Sequence, residues 1–221
     1  MEPNLMNRFN EYLLEVLNSD IPYYQEIISY LNEHKGKQIR SRLSLLCARL
    51  GGKLNGKSYR AALIVEILHT ASLLHDDIVD RSKERRGVPS VNEKWGNKVA
   101  LLSGDIISLK ALLLALSNED YDIFKIYVKA VEKIVEGELL QMKKSVSLNT
   151  DEETYFRIIE AKTAAFFSAA CKAGALSTFT HEDQIEQLSL FGMYIGIAFQ
   201  MKDDLFGFGH ENVGKPIDND F

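Results

Sequence analysis

The chain has 221 residues, of which 46% are hydrophobic and 26% charged, a balance that excludes a disordered or fibrous protein. Its 26 basic and 31 acidic side chains leave a net charge of −5, a poor basis for holding nucleic acid by bulk charge. Two cysteines, Cys47 and Cys171, are too few for a disulfide framework and suit a reducing, cytoplasmic compartment. The amino-terminal segment mixes acids and polar groups into its apolar pattern, unlike a signal peptide. The longest uncharged stretch, Gln187 to Met201, has 15 residues and is too short for a membrane span. The expectation is a soluble chain folded as one domain over residues 1–221.

Apolar residues recur at helical spacing almost throughout. Leu5, Phe9, Tyr12, Leu13 and Leu17 line one face of a first helix, which Pro22 ends or redirects. A second helix runs to about Glu33 and a third from about Gln38 to Leu50, before the glycine-rich break GGKLNG. A long helical pattern follows from about Lys57 to Asp80, then a charged loop, RSKERRGVP. Helical patterns resume over about Val91–Ser117, Asp122–Lys144, Asp151–Ser177 and Glu182–Phe206. The short Gly-, Asn-, Asp- and Ser-bearing connections predict an all-α bundle of about eight helices.

Some residues are not explained by packing. Asp76 and Asp80 lie four apart, on one helical face, with Asp77 about 100° round from Asp76. Like charges at that spacing destabilise a helix, so the apolar run before them calls for a compensating cation. Mg²⁺ fits, because it prefers a few carboxylates plus substrate phosphate oxygens. With 13 aspartates in the chain, a D-D-x-x-D pattern arises by chance only roughly 0.05 times. A second pair, Asp203-Asp204, ends the helix that begins near Glu182 and again follows a charge-free run, which suggests that the two pairs face a shared metal. Lys35, Lys37, Arg40, Arg42, Arg85, Arg86, Lys162, Lys202 and Lys215 complement these acids. Guanidinium forks and ammonium groups near metal-binding acids are what a diphosphate needs. A ferritin-like di-iron site needs two E-x-x-H motifs, and only Glu66-x-x-His69 is present.

At these residues the chain resembles the trans-isoprenyl diphosphate synthases, the polyprenyl synthetases. Lys35-Gly36-Lys37-Gln38-Ile39-Arg40-Ser41 is similar to the family's GGKRxRP, and Asp76-Asp77-Ile78-Val79-Asp80 to its first aspartate-rich motif. Arg85-Arg86-Gly87-Val88-Pro89 is similar to RRGxP. Gly104-Asp105, Glu136-Gly137-Glu138 with Gln141, Lys162-Thr163-Ala164, Phe199-Gln200 with Asp203-Asp204, and Gly214-Lys215-Pro216 follow in the family's order.

The resemblance implies the isoprenoid synthase fold, a helical bundle around a central cavity. It implies a prenyltransferase that joins an allylic diphosphate to isopentenyl diphosphate, head to tail, to give a trans-polyprenyl diphosphate. Asp76, Asp80 and Asp203 would ligate Mg²⁺, as three ions with the bound diphosphate, supported by Asp77 and Asp204. Arg85, Lys162 and Lys215 would contact the allylic diphosphate, whereas Lys37, Arg40, His69 and Arg86 would hold that of isopentenyl diphosphate. Thr163 and Gln200 would lie near the reacting carbons, and the protein would be a homodimer. Small residues at Ala71 and Ser72, one turn before the first acids, would leave the hydrocarbon tunnel open and permit products of twenty carbons or more.

Four positions depart from the family: Gln38 and Ser41 in the first motif, Asn92 for a histidine, and Gly207 for the last acid of the second DDxxD. Glu211 could replace that acid, as in class I terpene cyclases. The chain also ends at Phe221, before the C-terminal helices usual in the family. These departures keep two alternatives in view, a non-catalytic or regulatory subunit and a cyclase-like enzyme.

Overall fold

The computed structural model describes residues 3–144 and 151–208. They fall into two compact units, one of residues 3–39 and 63–119, the other of residues 40–62, 120–144 and 151–208.

The first unit starts with helix α1 (Pro3–Leu17), whose Leu5, Phe9 and Leu17, spaced by four and eight residues, are buried on one face. Pro22 then opens α2 (Pro22–Glu33), where its missing N–H leaves no bond unmade. The unit also holds the later part of α4 (Gly56–Val79), from Leu63 onward. Next comes a two-stranded hairpin, β1 (Glu84–Arg85) and β2 (Val88–Pro89), paired antiparallel. Its turn residues, Arg86 and Gly87, both have positive φ, 57° and 77°, the primed geometry that matches strand twist. The hairpin replaces the predicted charged loop; strands of two residues are too short to leave an alternating pattern in the sequence. The single helix predicted over Val91–Ser117 is two, α5 (Val91–Trp95) and α6 (Asn97–Ser117), broken where Gly96 takes φ 87°. Among the described residues α6 is the one helix long and apolar enough to cross a membrane, a test that core helices also pass. Its Lys110 is tied to the carbonyls of Val16 and Asn18.

The second unit begins with α3 (Ile39–Gly51) from Arg40 onward, then the first turns of α4. Asn55 accepts from the Ser58 N–H at 2.9 Å and donates to the Ser177 carbonyl, capping α4 and fastening its start. Helix α7 (Tyr121–Lys144) and α10 (Glu182–Phe208) pack on α9 (Ala165–Leu176). The helix predicted over Asp151–Ser177 is interrupted. It begins as α8 (Glu152–Ile159), capped by the Asp151 carboxylate on the Thr154 N–H, then widens into a π turn over Glu160–Ala164 before α9. The Cys47 and Cys171 thiols are buried in one apolar cluster with Ala175 and Ile185, as expected of small core residues.

Candidate active site

In the first unit the later turns of α4 carry His69, Asp76 and Asp77, and Asp80 follows directly after the helix end. Asp80 donates its N–H to the Asp76 carbonyl at 2.8 Å, so the two acids stack one turn apart. Asp76 is half-buried and Asp80 exposed. Asp77 points elsewhere: it is 2% exposed, and Arg85 grips one of its oxygens from Nε at 2.7 Å and Nη2 at 2.5 Å. A guanidinium fork is the partner a buried carboxylate requires. Asn92, the residue in place of the family's histidine, donates from α5 to the carbonyls of Asp77 and Ser82 and so ties α5 to the end of the acid helix and the turn that follows it.

The hairpin delivers Arg86 beside Arg85. Arg86 donates to the His34 carbonyl at 2.9 Å and lies flat against Gly36, where a Cβ would sit 2.5 Å from its Nη2. Any larger residue at Gly36 would push the guanidinium aside. Burial and the neighbouring Arg85 pull the Arg86 guanidinium below its ordinary value, while Glu66 and Asp77 pull it up. A non-glycine residue at positive φ is strained, and such strain persists where the surroundings fix it, often at functional sites. Tyr30 holds this hairpin by donating to the Pro89 carbonyl at 2.6 Å, with Lys94 over its ring.

A cleft that opens to solvent lies within this unit. His34, Lys35, His69, Asp77, Arg85 and Arg86 line its polar side, and Leu13, Leu17 and Ile28 its apolar side. Gln38 also reaches it, but is 7% exposed, adopts φ 53° and donates to Asn10 on α1. Gln38, one of the departures from the family's first motif, therefore has an internal task. Lys37 is exposed on the same segment.

In the second unit Lys162 and Thr163 ride on the π turn, a feature frequent at functional sites. Lys162 pairs with Glu138 at 2.9 Å. Thr163 donates from its hydroxyl to Gln200 Oε1 at 2.7 Å, and Gln200 Nε2 donates to Asp204 Oδ1 at 2.8 Å. Tyr155 completes the chain, donating to Asp204 Oδ2 at 2.6 Å. Burial and Asp204 push the Tyr155 hydroxyl up to about 12, so it stays a donor at neutral pH. Gly196 brings α10 this close, since a Cβ there would lie 2.5 Å from Ala164 Cα. Asp203 is half-buried beside this chain. Arg40 does not extend freely toward solvent; its guanidinium lies 4.5 Å from the centre of the Phe167 ring.

Among the described residues no three His, Cys, Asp or Glu side chains converge as a ready-made metal cage. The donors present, hard carboxylate oxygens of low number on helix ends, suit Mg²⁺, which binds through one or two carboxylates and keeps room for waters and phosphate oxygens. Lys215 and Glu211 lie outside the described residues, as do the side chains of Gln141 and position 207. Sequence reading misses Tyr155, although it stands seven residues before Lys162, two helical turns away.

The helical architecture and the ordered motifs define the isoprenoid synthase fold class. The family model described as polyprenyl synthetase matches residues 21–221, and the chain belongs to that family. It is 36% identical over 217 residues to an octaprenyl diphosphate synthase from Haemophilus influenzae, covering 97% of this chain and 66% of that protein. It is 34% identical over 225 residues to a geranylgeranyl diphosphate synthase from Saccharolobus solfataricus, covering 98% and 68%. A crystal structure of a polyprenyl synthase from Caulobacter crescentus, complexed with calcium and isoprenyl diphosphate, superposes with TM-score 0.90 at 34% identity, over 97% of this chain and 66% of that one. The chain thus spans about two thirds of the length of these relatives.

Proposed function

We propose that the protein is a trans-polyprenyl diphosphate synthase, built as one isoprenoid synthase domain, that condenses an allylic diphosphate with isopentenyl diphosphate and makes products of twenty carbons or more. The observation that carries this reading is the first unit's cleft, where Arg86, His69 and Lys35 open beside the acid helix end. The Caulobacter crescentus relative is complexed with calcium and isoprenyl diphosphate, which supports the same chemistry here.

Asp76 and Asp80 would hold Mg²⁺ at the first motif and Asp203 at the second. Mg²⁺ bound there supplies charge neutralisation for departing diphosphate. The protein's own part is electrostatic and steric. Arg85, Lys162 and Lys215 bind the allylic diphosphate, and Lys37, Arg40, His69 and Arg86 bind isopentenyl diphosphate. The allylic C–O bond breaks with its electron pair leaving on diphosphate. The isopentenyl double bond forms the new C–C bond to the allylic carbon, and the resulting cation loses a proton to the released diphosphate. Thr163 and Gln200 present oxygens near the reacting carbons, while apolar walls keep water from the cation. The protein would act as a homodimer in the cytoplasm. Turnover of labelled isopentenyl diphosphate with an allylic diphosphate and Mg²⁺ tests this reading. A chain that binds both diphosphates and makes no product would instead be a regulatory subunit.

A further inference from the structure

The hydrogen-bond chain of the second unit has a member without a role in the reaction as drawn. We propose that Tyr155 is a positioning residue which, through Asp204, fixes the side-chain amide of Gln200 and with it the Thr163–Gln200 pair, an inference whose catalytic part rests on the prenyl-transfer reading above.

The chemistry of an amide leaves little choice. Gln200 accepts from the Thr163 hydroxyl at Oε1 and donates from Nε2 to Asp204 Oδ1. Turned by half a rotation, it would aim its oxygen at a carboxylate oxygen, acceptor against acceptor. Asp204 therefore sets the orientation of Gln200. The same carboxylate is held at its other oxygen by Tyr155, at 2.6 Å. With both oxygens engaged, its plane is fixed, and Gln200 is fixed in turn. Helix geometry makes the arrangement specific. Tyr155 and Thr163 are eight residues apart, whereas two α-helical turns take about 7.2. The π turn over Glu160–Ala164 absorbs the surplus residue and brings Thr163 onto the face of Tyr155. On α10 the two acceptors, Gln200 and Asp204, are one turn apart and meet both donors. The Tyr155 ring also packs edge-to-face on Phe156, so removal of the hydroxyl alone leaves its packing in place.

The test is Tyr155→Phe in the full chain, read two ways. Nitrogen-15 NMR of the Gln200 side-chain amide, assigned by its loss in Gln200→Glu, reports its hydrogen bond without any need for turnover. The amide pair is expected to shift in Tyr155→Phe while the melting temperature stays within a few degrees of wild type. In turnover assays kcat should fall about tenfold with KM for both diphosphates within about twofold, and the Tyr155→Phe/Asp204→Asn double variant should be no slower than Asp204→Asn alone. An unmoved Gln200 amide overturns the positioning role, and so do losses that simply add. Wild type without turnover defeats the prenyl-transfer reading instead, and the NMR result still decides whether Tyr155 sets Gln200.

Discussion

Two Asp-Asp pairs end two helices, and the protein treats their second members in opposite ways. On α4, Asp77 is buried and neutralised by the charged fork of Arg85. On α10, Asp204 is only half-buried and is held by neutral donors, Tyr155 and Gln200. A buried carboxylate without a cation is prohibitively expensive, whereas a partly solvated one needs only hydrogen bonds. The same dipeptide thus yields a structural ion pair at one motif and an orienting acceptor at the other. In each case the adjacent acid, Asp76 or Asp203, is left half-buried, where a metal could reach it.

The largest effect is expected at the acids proposed to hold metal. Asp76→Ala or Asp80→Ala should lower turnover on the order of 10³-fold with helix content unchanged, if the proposed prenyl transfer follows the general rule that electrostatic stabilisation of developing charge is the largest single contribution to catalysis. Turnover assays paired with circular dichroism check this, and near-normal rates would remove these acids from the site.

Next comes the Asp77–Arg85 pair. Arg85→Ala strands a buried charge and should cost roughly 3 kcal/mol in urea unfolding, whereas Asp77→Asn leaves an arginine that can solvate and should cost only about 1 kcal/mol. Equal losses would mean that Asp77 is not the dependent partner. Binding is the next smaller effect. Arg86→Ala should weaken isopentenyl diphosphate, and Lys162→Ala the allylic substrate, each by roughly ten- to a hundredfold in isothermal titration.

Ala71 and Ser72 sharpen the picture of the acid helix. Ala71 is 2% exposed, so it packs against neighbours rather than facing open space, and Ala71→Phe should destabilise by roughly 1–3 kcal/mol. Ser72 is half-buried, with its hydroxyl on the His69 carbonyl, and any tunnel wall on this face falls to it. Ser72→Phe should shorten the product, as chromatography of extracted alcohols would show.

The smallest effect is alkaline. Burial and Asp204 raise the Tyr155 hydroxyl from 10.0 to about 12, which favours the protonated form in the folded state. Its contribution is fully present below pH 10 and is lost as pH rises toward 12. Tyr155→Phe should therefore lose stability less steeply than wild type across that window in pH-dependent melts.

How much of this the sequence reveals depends on the range of the interaction. Helix identity is local and periodic, so the long helices stand out. Gly96 inside an apolar pattern reads equally as a tolerated glycine or a break, and only its φ of 87° decides. The π turn has no side-chain signature, because EAKTA is ordinary helix composition. Asp76, Asp80 and Lys162 stand out as candidates because their charges interrupt apolar patterns, whereas Arg86 lies in a charged loop and stands out only by the resemblance to RRGxP. Gln38 reads in the sequence as a simple loss, because its positive φ and its bond to Asn10, 28 residues away, are tertiary facts. Tyr155 reads as one more amphipathic aromatic for the same reason: its partner is 49 residues distant.

The most direct measurement is incubation of the purified protein with Mg²⁺, an allylic diphosphate and labelled isopentenyl diphosphate. Label in a trans-polyprenyl diphosphate of twenty carbons or more, lost with chelator and in Asp76→Ala, is the expected result. Binding of both diphosphates with no elongated product would contradict it.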